Sequence, residues 1–314
     1  MAPRLSEFAR GIARTDSAIL PGTGWFDTIR HMPIPLLPGL LRMPVLGLGT
    51  WRMGEHRRTQ AAELAALREA LDIGYRAFDT AEMYGEGGAE TLLGQALAAA
   101  LRGPLQREQL CVISKVYPHN ASTAGVAAAC ERSLKRLKLD HLDLYLLHWR
   151  GSIPLARTVE GFERLRARGL IRHWGVSNFD VGDLQELAAL PQGTACAANQ
   201  VWYSLARRGV EFDLLPWQQA RQMALMAYSP IDQGALAAHP GLQHLAAEAG
   251  MTPAQLALAR LMAEPGVMAI PKSADPARLR ENWRAASIRL DDATRQRIDA
   301  LFPPPRRKQP LAIG

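Results

Sequence analysis

From about Val45 onward, short apolar runs alternate with segments whose apolar residues recur every three or four positions. The runs are Val45–Thr50, Arg76–Thr80, Leu110–Val116, Leu142–Trp149, Ile171–Asn178, Cys196–Tyr203, Ala224–Pro230 and Val267–Ser273, eight in all, and they read as strands. Between them Leu64, Leu67 and Leu71 share one helix face, as do Val126, Cys130, Leu134 and Leu137, and again Val159, Phe162 and Leu165. Strict alternation of strand and helix makes the strands parallel, joined by right-handed crossovers. Eight such units are the number that closes a cylinder, so the expected fold class is α/β, a (β/α)8 TIM barrel. A doubly wound open sheet is the alternative. It needs a phosphate fingerprint after its first strand, and Gly47-Leu48-Gly49-Thr50-Trp51 lacks both the third glycine and the helix start.

Three pieces fall outside the alternation. Residues 1–31 have no clear period and read as a loosely ordered N-terminal extension, which leaves 32–314 as a single barrel domain. Residues Pro33–Met43 read as two short extended pieces around Pro38-Gly39, an N-terminal hairpin that would plug the bottom of the barrel. The third piece, Ile231–Gly266, is a long loop and helix insertion between strands seven and eight. Thr252-Pro253 caps a helix in it, while Asp232–Gly241 reads as a loop that could fold over a ligand.

Length agrees with this architecture, because 314 residues hold one barrel of about 250 with insertions. No apolar run reaches the ~18 residues that span a bilayer. Residues Met1–His31 have neither the apolar core of a signal peptide nor a twin arginine. The cysteines, Cys111, Cys130 and Cys196, are odd in number and scattered, as in a reduced, cytoplasmic protein. A net charge of +7 raises the question of a polyanion partner. The basic residues are spread over many helices beside acids, and Arg306-Arg307-Lys308 reads as a solvated end, so neither nucleic acid nor membrane is expected. The expected state is a monomer or weak homo-oligomer.

Candidate chemistry gathers where the apolar runs stop. Asp79 and Tyr84 lie just past the second run, Lys115 closes the third and His148 the fourth. In a barrel these ends open into one mouth, where such enzymes keep their reactive groups. A phenol titrates near 10 in water and needs help to act as an acid at neutral pH. An ammonium beside it lowers that value, and an aspartate can hold the ammonium in place. His148 could donate to a substrate oxygen, and the set would then stabilise an alkoxide forming from a carbonyl. Singly, each residue has a structural account: a strand-end histidine, a helix cap, a rim aromatic. Four polar groups at the same ends of three consecutive strands are harder to explain as packing. A metal site is not expected. His141 and His148 are seven apart on a strand-like run and face opposite sides, and no His-Glu-x-x-His occurs.

At these residues the chain resembles the aldo-keto reductase family, whose pattern has an aspartate, a tyrosine five positions on, a strand-three lysine and a strand-four histidine. Asp79, Tyr84, Lys115 and His148 match all four, and Tyr84-Gly85-Glu86-Gly87-Gly88-Ala89-Glu90 is similar to the family's glycine-rich signature. The resemblance runs from about Pro44 to Asn282. It implies a carbonyl reductase that transfers a hydride from NADPH to a small aldehyde or ketone while Tyr84 protonates the oxygen. By the same resemblance, Gly49, Thr50 and Trp51 border the nicotinamide. Ser177, Asn178 and Gln200 hold its carboxamide, and Tyr228, with Ser229 beside it, stacks on the ring. Lys272, Ser273, Arg278, Glu281 and Asn282 resemble the adenosine end of the site. A lysine plus an arginine suits a 2′-phosphate, so NADPH is expected over NADH. Asp275 stands where the family often has threonine, and an acid there is unfavourable unless it points away.

Trp51 and Trp149 are candidates for the substrate wall, with Tyr117, Trp174 and Trp202 at or near strand ends. Trp174, mid-strand, reads as packing behind the barrel wall. Arg150, where many relatives carry proline, could attract anionic carbonyls or be a solvated rim residue. The chain ends soon after Phe302-Pro303-Pro304-Pro305, which implies a short C-terminal loop, an open pocket and a broad range of small aldehydes. The chain most resembles a bacterial subgroup associated with methylglyoxal and with diketogluconate-type reductases. The competing reading is a redox-silent NADPH-binding regulatory barrel, which could have lost the acid-base set.

Overall fold

The structure, a computed structural model, describes residues 43–314. The expected extension over 1–31 and, Met43 aside, the expected hairpin lie outside these residues. All eight expected strands form, as β1 Leu48–Gly49, β2 Ala77–Asp79, β3 Cys111–Val116, β4 Leu142–Leu147, β5 Ile171–Ser177, β6 Ala198–Trp202, β7 Ala224–Tyr228 and β8 Val267–Ala269. They pair in sequence order and every pair is parallel. The cylinder closes through two single parallel bridges, Leu46 to Ala269 and Gly49 to Lys272. That seam explains why β1 and β8 are shorter than the apolar runs containing them: beyond the regular ladders, pairing continues only as isolated bonds such as Gly47 N–H to Ala269 O at 2.9 Å.

Ten α-helices are present among the described residues: α1 Arg57–Ile73, α2 Gly88–Ala100, α3 Thr123–Leu137, α4 Leu155–Ala167, α5 Val181–Ala188, α6 Leu214–Gln219, α7 Pro240–Glu248, α8 Pro253–Met262, α9 Pro276–Ala285 and α10 Asp292–Leu301. The predicted faces are the buried ones. Leu67 and Leu71 of α1, Val126, Cys130, Leu134 and Leu137 of α3, and Val159, Phe162 and Leu165 of α4 all pack inward, with Leu64 half-buried. Helix starts follow side-chain chemistry. Ser122 accepts from Gly125 N–H, Asp180 and Asp183 form a reciprocal box, and Thr252 does the same with Gln255 ahead of Pro253. One expectation is corrected. The stretch Asp232–Gly241 is not wholly an open loop: 3-10 turns within Asp232–Ala238 are broken at Gln233 and Gly234, with φ of 54° and 98°, and α7 begins at Pro240. The His239-Pro240 pair carried that signal, since proline at the first helical position costs no hydrogen bond and His239 Nδ1 caps Leu242 N–H.

Trp174 lies behind the wall as expected, fully buried, stacked on Phe162 with ring centroids 5.5 Å apart and donating to Glu163 at 2.6 Å. Glu90, also fully buried at the start of α2, receives Ser114 Oγ and Arg136 Nε, both at 2.6 Å. Replacing Glu90 with Ala strands the Arg136 charge and should cost about 3 kcal/mol. Urea denaturation should therefore show a lower midpoint with an unchanged slope. The three cysteines are buried and free, and burial raises each thiol, Cys130 and Cys196 to about 12. Among the described residues no helix is long and apolar enough to cross a membrane.

Candidate active site

The strand ends deliver four polar side chains to the same mouth. Asp79 is the last residue of β2, Lys115 the next to last of β3, and His148 follows β4 directly. Tyr84 comes from the loop after β2, and the backbone sets its place. Gly54 and Gly88 touch so closely that a Cβ on Gly88 would sit 2.6 Å from Gly54 O, and Gly85 and Gly87 have φ of 58° and 85°. Only glycine fits that crossing without strain, which is the physical content of the glycine-rich signature.

Lys115 has no exposed surface, yet all three of its protons are placed: on Asp79 Oδ2 at 2.7 Å, on Thr80 O at 2.9 Å and on the Tyr84 hydroxyl at 3.1 Å. Burial works against the ammonium, but Asp79 and then Tyr84 outweigh it, so its pKa is raised and it stays charged. The expected acidification of Tyr84 takes a different balance. Burial pushes the phenol up, Lys115 pulls it down, Asp79 pushes it up, and the net direction is upward. The phenol is therefore fully protonated at neutral pH, as a proton donor must be. His148 stands edge-on to Tyr84 with ring centroids 5.7 Å apart. Burial first and Lys115 second hold its pKa well below the usual imidazole range, so the ring is neutral. Its Nδ1 is buried without a partner among the described residues.

The residues expected to hold a nicotinamide line the same mouth. Gly49 passes close to the β8 side, where a Cβ would lie 3.1 Å from Ile270 O, and Thr50 Oγ1 donates to Asp79 O at 3.0 Å. Trp51 is half-buried, with the Arg52 guanidinium 4.3 Å from its ring centroid. Ser177 Oγ donates to Gln200 O at 2.9 Å, and the Tyr228 hydroxyl donates to Asn178 Oδ1 at 3.0 Å. Burial, chiefly, raises the Tyr228 phenol to about 12. Arg52, Asn178 and Ser229, each just past a strand end, have φ of 62°, 60° and 49°. Left-handed backbone at three non-glycine positions around one opening is strain of the kind that ligand clamps retain.

The other end of the expected cofactor site lies at the start of α9. Lys272 and Arg278 are exposed and form no ion pair among the described residues, which leaves both free for an anion. Asp275 does not oppose them openly: it caps α9, with Oδ1 accepting from Ala277 N–H at 2.8 Å and Arg278 N–H at 3.5 Å. Ser273 Oγ accepts from Asp275 N–H at 3.1 Å. Glu281 takes the Thr252 hydroxyl on Oε1, tying α9 to α8, so only Oε2 remains open. Asn282 is 2% exposed and its amide makes no hydrogen bond among the described residues, as suits a group awaiting a polar ligand.

Of the two readings of Arg150, the structure favours the rim residue: its guanidinium is less open to an anion because Asp183 and Glu186 of α5 hold it, each at 2.7 Å. We expect Arg150→Ala to alter KM for acidic and neutral carbonyls alike in steady-state kinetics. The mouth is also less open than a short tail implied. Lys308 pairs with Asp213 at 3.5 Å, Leu311 packs on the main core, and Gly314 lies against Trp202 with its backbone reaching the Tyr228 hydroxyl. Trp149 is 38% exposed and meets Tyr117 edge-on, with centroids 5.9 Å apart. Sequence reasoning missed Arg52 and the contact between Gln200 and Asp79. Arg52 had a signal in its place beside Trp51, but nothing local marks a contact spanning 121 residues. Among the described residues no three His, Cys, Asp or Glu side chains gather as a metal would need.

Comparison with known proteins gives a consistent picture. The model of the Aldo/keto reductase family matches residues 45–302. Methylglyoxal reductase YeaE of Escherichia coli (strain K12) is 44% identical over 278 residues, 87% of this chain and 96% of that protein. Methylglyoxal reductase DkgA of Salmonella typhimurium is 33% identical over 79% of this chain and 86% of its own length. Among solved structures, an aldo/keto reductase from Klebsiella pneumoniae in complex with NADP and acetate superposes with a TM-score of 0.83 at 46% identity, covering 87% of this chain and 96% of its own.

Proposed function

The chain belongs to the aldo/keto reductase family and is an NADPH-dependent oxidoreductase, and we propose that it reduces small aldehydes and ketones with Tyr84 as proton donor. The bound nicotinamide supplies a hydride to the carbonyl carbon. The rest is the work of this chain's residues. Tyr84 passes its phenolic proton to the carbonyl oxygen as negative charge develops there. Lys115 stabilises the phenolate left behind, and Asp79 holds Lys115 in register. His148, neutral and buried, orients the carbonyl oxygen by a hydrogen bond. Gly49, Thr50, Trp51, Tyr228 and Ser229 would hold the nicotinamide, and Ser177, Asn178 and Gln200 would hold its carboxamide. Lys272, Ser273 and Arg278 would hold the 2′-phosphate, and Glu281 and Asn282 the adenine.

The observation that carries this reading is the fully buried ammonium of Lys115, whose protons bind, among the described residues, a carboxylate, a backbone carbonyl and a phenol and nothing else. A buried charge is costly, and packing alone gives no reason to keep one beside a phenol. The substrate class we assign is small dicarbonyls such as methylglyoxal, supported by the names of two relatives. The test is NADPH oxidation by the purified protein with methylglyoxal, simple aldehydes, α-keto acids and diketo sugars. Highest kcat/KM on the first supports the assignment, and highest kcat/KM on another class replaces it. No turnover of any would favour the regulatory barrel, against which the intact acid-base set speaks.

A further inference from the structure

Gln200 stands where the carboxamide holders meet the acid-base set. Its backbone carbonyl accepts from Ser177 Oγ at 2.9 Å and from Asn178 N–H at 2.8 Å. Its side chain reaches the other way: Nε2 donates to Asp79 Oδ1 at 2.8 Å. Asp79, 2% exposed, gives its second oxygen to Lys115. The remaining Nε2 proton finds only the Met226 sulfur at 3.9 Å, and Gln200 Oε1 has no donor among the described residues. One line of hydrogen bonds thus runs from an open amide oxygen, through Gln200, both oxygens of Asp79 and Lys115, to the oxygen of Tyr84.

We propose that Gln200 is a positioning residue that couples capture of the cofactor's carboxamide to the readiness of Tyr84 to release its proton. The inference rests on the assignment of Tyr84 as donor and Gln200 as carboxamide holder. An amide is conjugated, so an N–H placed on Oε1 draws electron density from the nitrogen and makes Nε2–H a stronger donor. Asp79 then shares more of its charge with Gln200 and less with Lys115. The ammonium, less neutralised, favours the phenolate more strongly. No proton moves along the line; the only proton transferred is that of Tyr84, to the carbonyl oxygen. The other titratable groups facing Tyr84 do not carry the effect. His148, after β4, is kept neutral by burial, and Tyr228, at the end of β7, is raised to about 12 and uncharged. Asp79 from β2 and Lys115 from β3 are the charges through which Gln200 acts.

The test is Gln200→Met, which keeps the length of the side chain and removes the donor. kcat is followed against pH with NADPH and aldehyde saturating, and the Kd of NADPH is measured by fluorescence titration. The alkaline limb of such a profile reports loss of the donor's proton in the ternary complex. Coupling predicts that this limb moves upward by about one pH unit, a tenfold change in proton affinity. A second arm leaves the protein untouched: a cofactor analogue with an acetyl group in place of the carboxamide has no N–H for Oε1. The same upward move is expected with it on the native protein, and none in addition on Gln200→Met. A raised Kd with an unmoved limb would show that Gln200 only anchors the cofactor and would overturn the proposal. Should Gln200→Met fail to fold, the analogue arm decides alone. An inactive Tyr84→Phe with an unmoved limb removes the coupling alone, whereas an active Tyr84→Phe removes the assignment beneath it.

Discussion

Tyr84→Phe should lower kcat by about 10²–10⁴-fold, the span that a positioned general acid contributes. Cofactor affinity should hardly change. Among the described residues the phenol oxygen has one hydrogen-bond partner, Lys115 at 3.1 Å, and the ring stays buried against the same neighbours. The loss leaves one proton of a fully buried ammonium without an acceptor, while Asp79 and Thr80 O keep the other two. An unsatisfied buried donor costs about 1–3 kcal/mol, so a modest fall in melting temperature should accompany the loss of turnover. The variant should bind NADPH like the native protein in a fluorescence titration and fail to oxidise it. Turnover near the native rate would show that the proton comes from elsewhere, and His148 would be the next group to test.

The second large effect is expected at the start of α9. Arg278→Ala should raise KM for NADPH by about 10–100-fold, the factor that follows from losing a charge-assisted hydrogen bond of about 1.5–3 kcal/mol. The corresponding values for NADH should stay put, because the 2′-phosphate is the only difference between the two cofactors. Lys272 remains and keeps part of the attraction. Asp275 makes the discrimination a matter of placement rather than net charge, since its Oδ1 is turned into the helix end by two backbone N–H groups. If the variant loses affinity for both cofactors equally, Arg278 supports the helix and does not read the phosphate.

The alternation of strand and helix was legible because buried strands leave apolar runs and packed helices leave stripes, and both survive as one-dimensional patterns. Asp79, Tyr84, Lys115 and His148 were legible because a barrel sends the ends of its strands to one place. The balance at Tyr84 was not, since burial is a property of the assembled mouth and it outweighs Lys115. Arg150 stayed between two readings for a similar reason. A cation at a rim looks available in sequence, and its partners Asp183 and Glu186 come from another helix. The hydrogen bond from Gln200 to Asp79 crosses the barrel from β6 to β2, and no spacing or composition encodes it. The early start of α7 escaped because His239 is an unusual cap, which only the observed bond to Leu242 N–H reveals.

The seam between residues 46–49 and 269–272 has a bearing on how the molecule is made. Its two sides lie more than two hundred positions apart, so a ribosome must release nearly the whole polypeptide before the ring can join. Until then the nascent sheet carries two unprotected edges, of which the one at β1 waits longest. Chaperone demand during synthesis should therefore track the time taken to translate the segment between Leu46 and Lys272, and slow codons placed late in that stretch should lower soluble yield while leaving the finished enzyme unaltered.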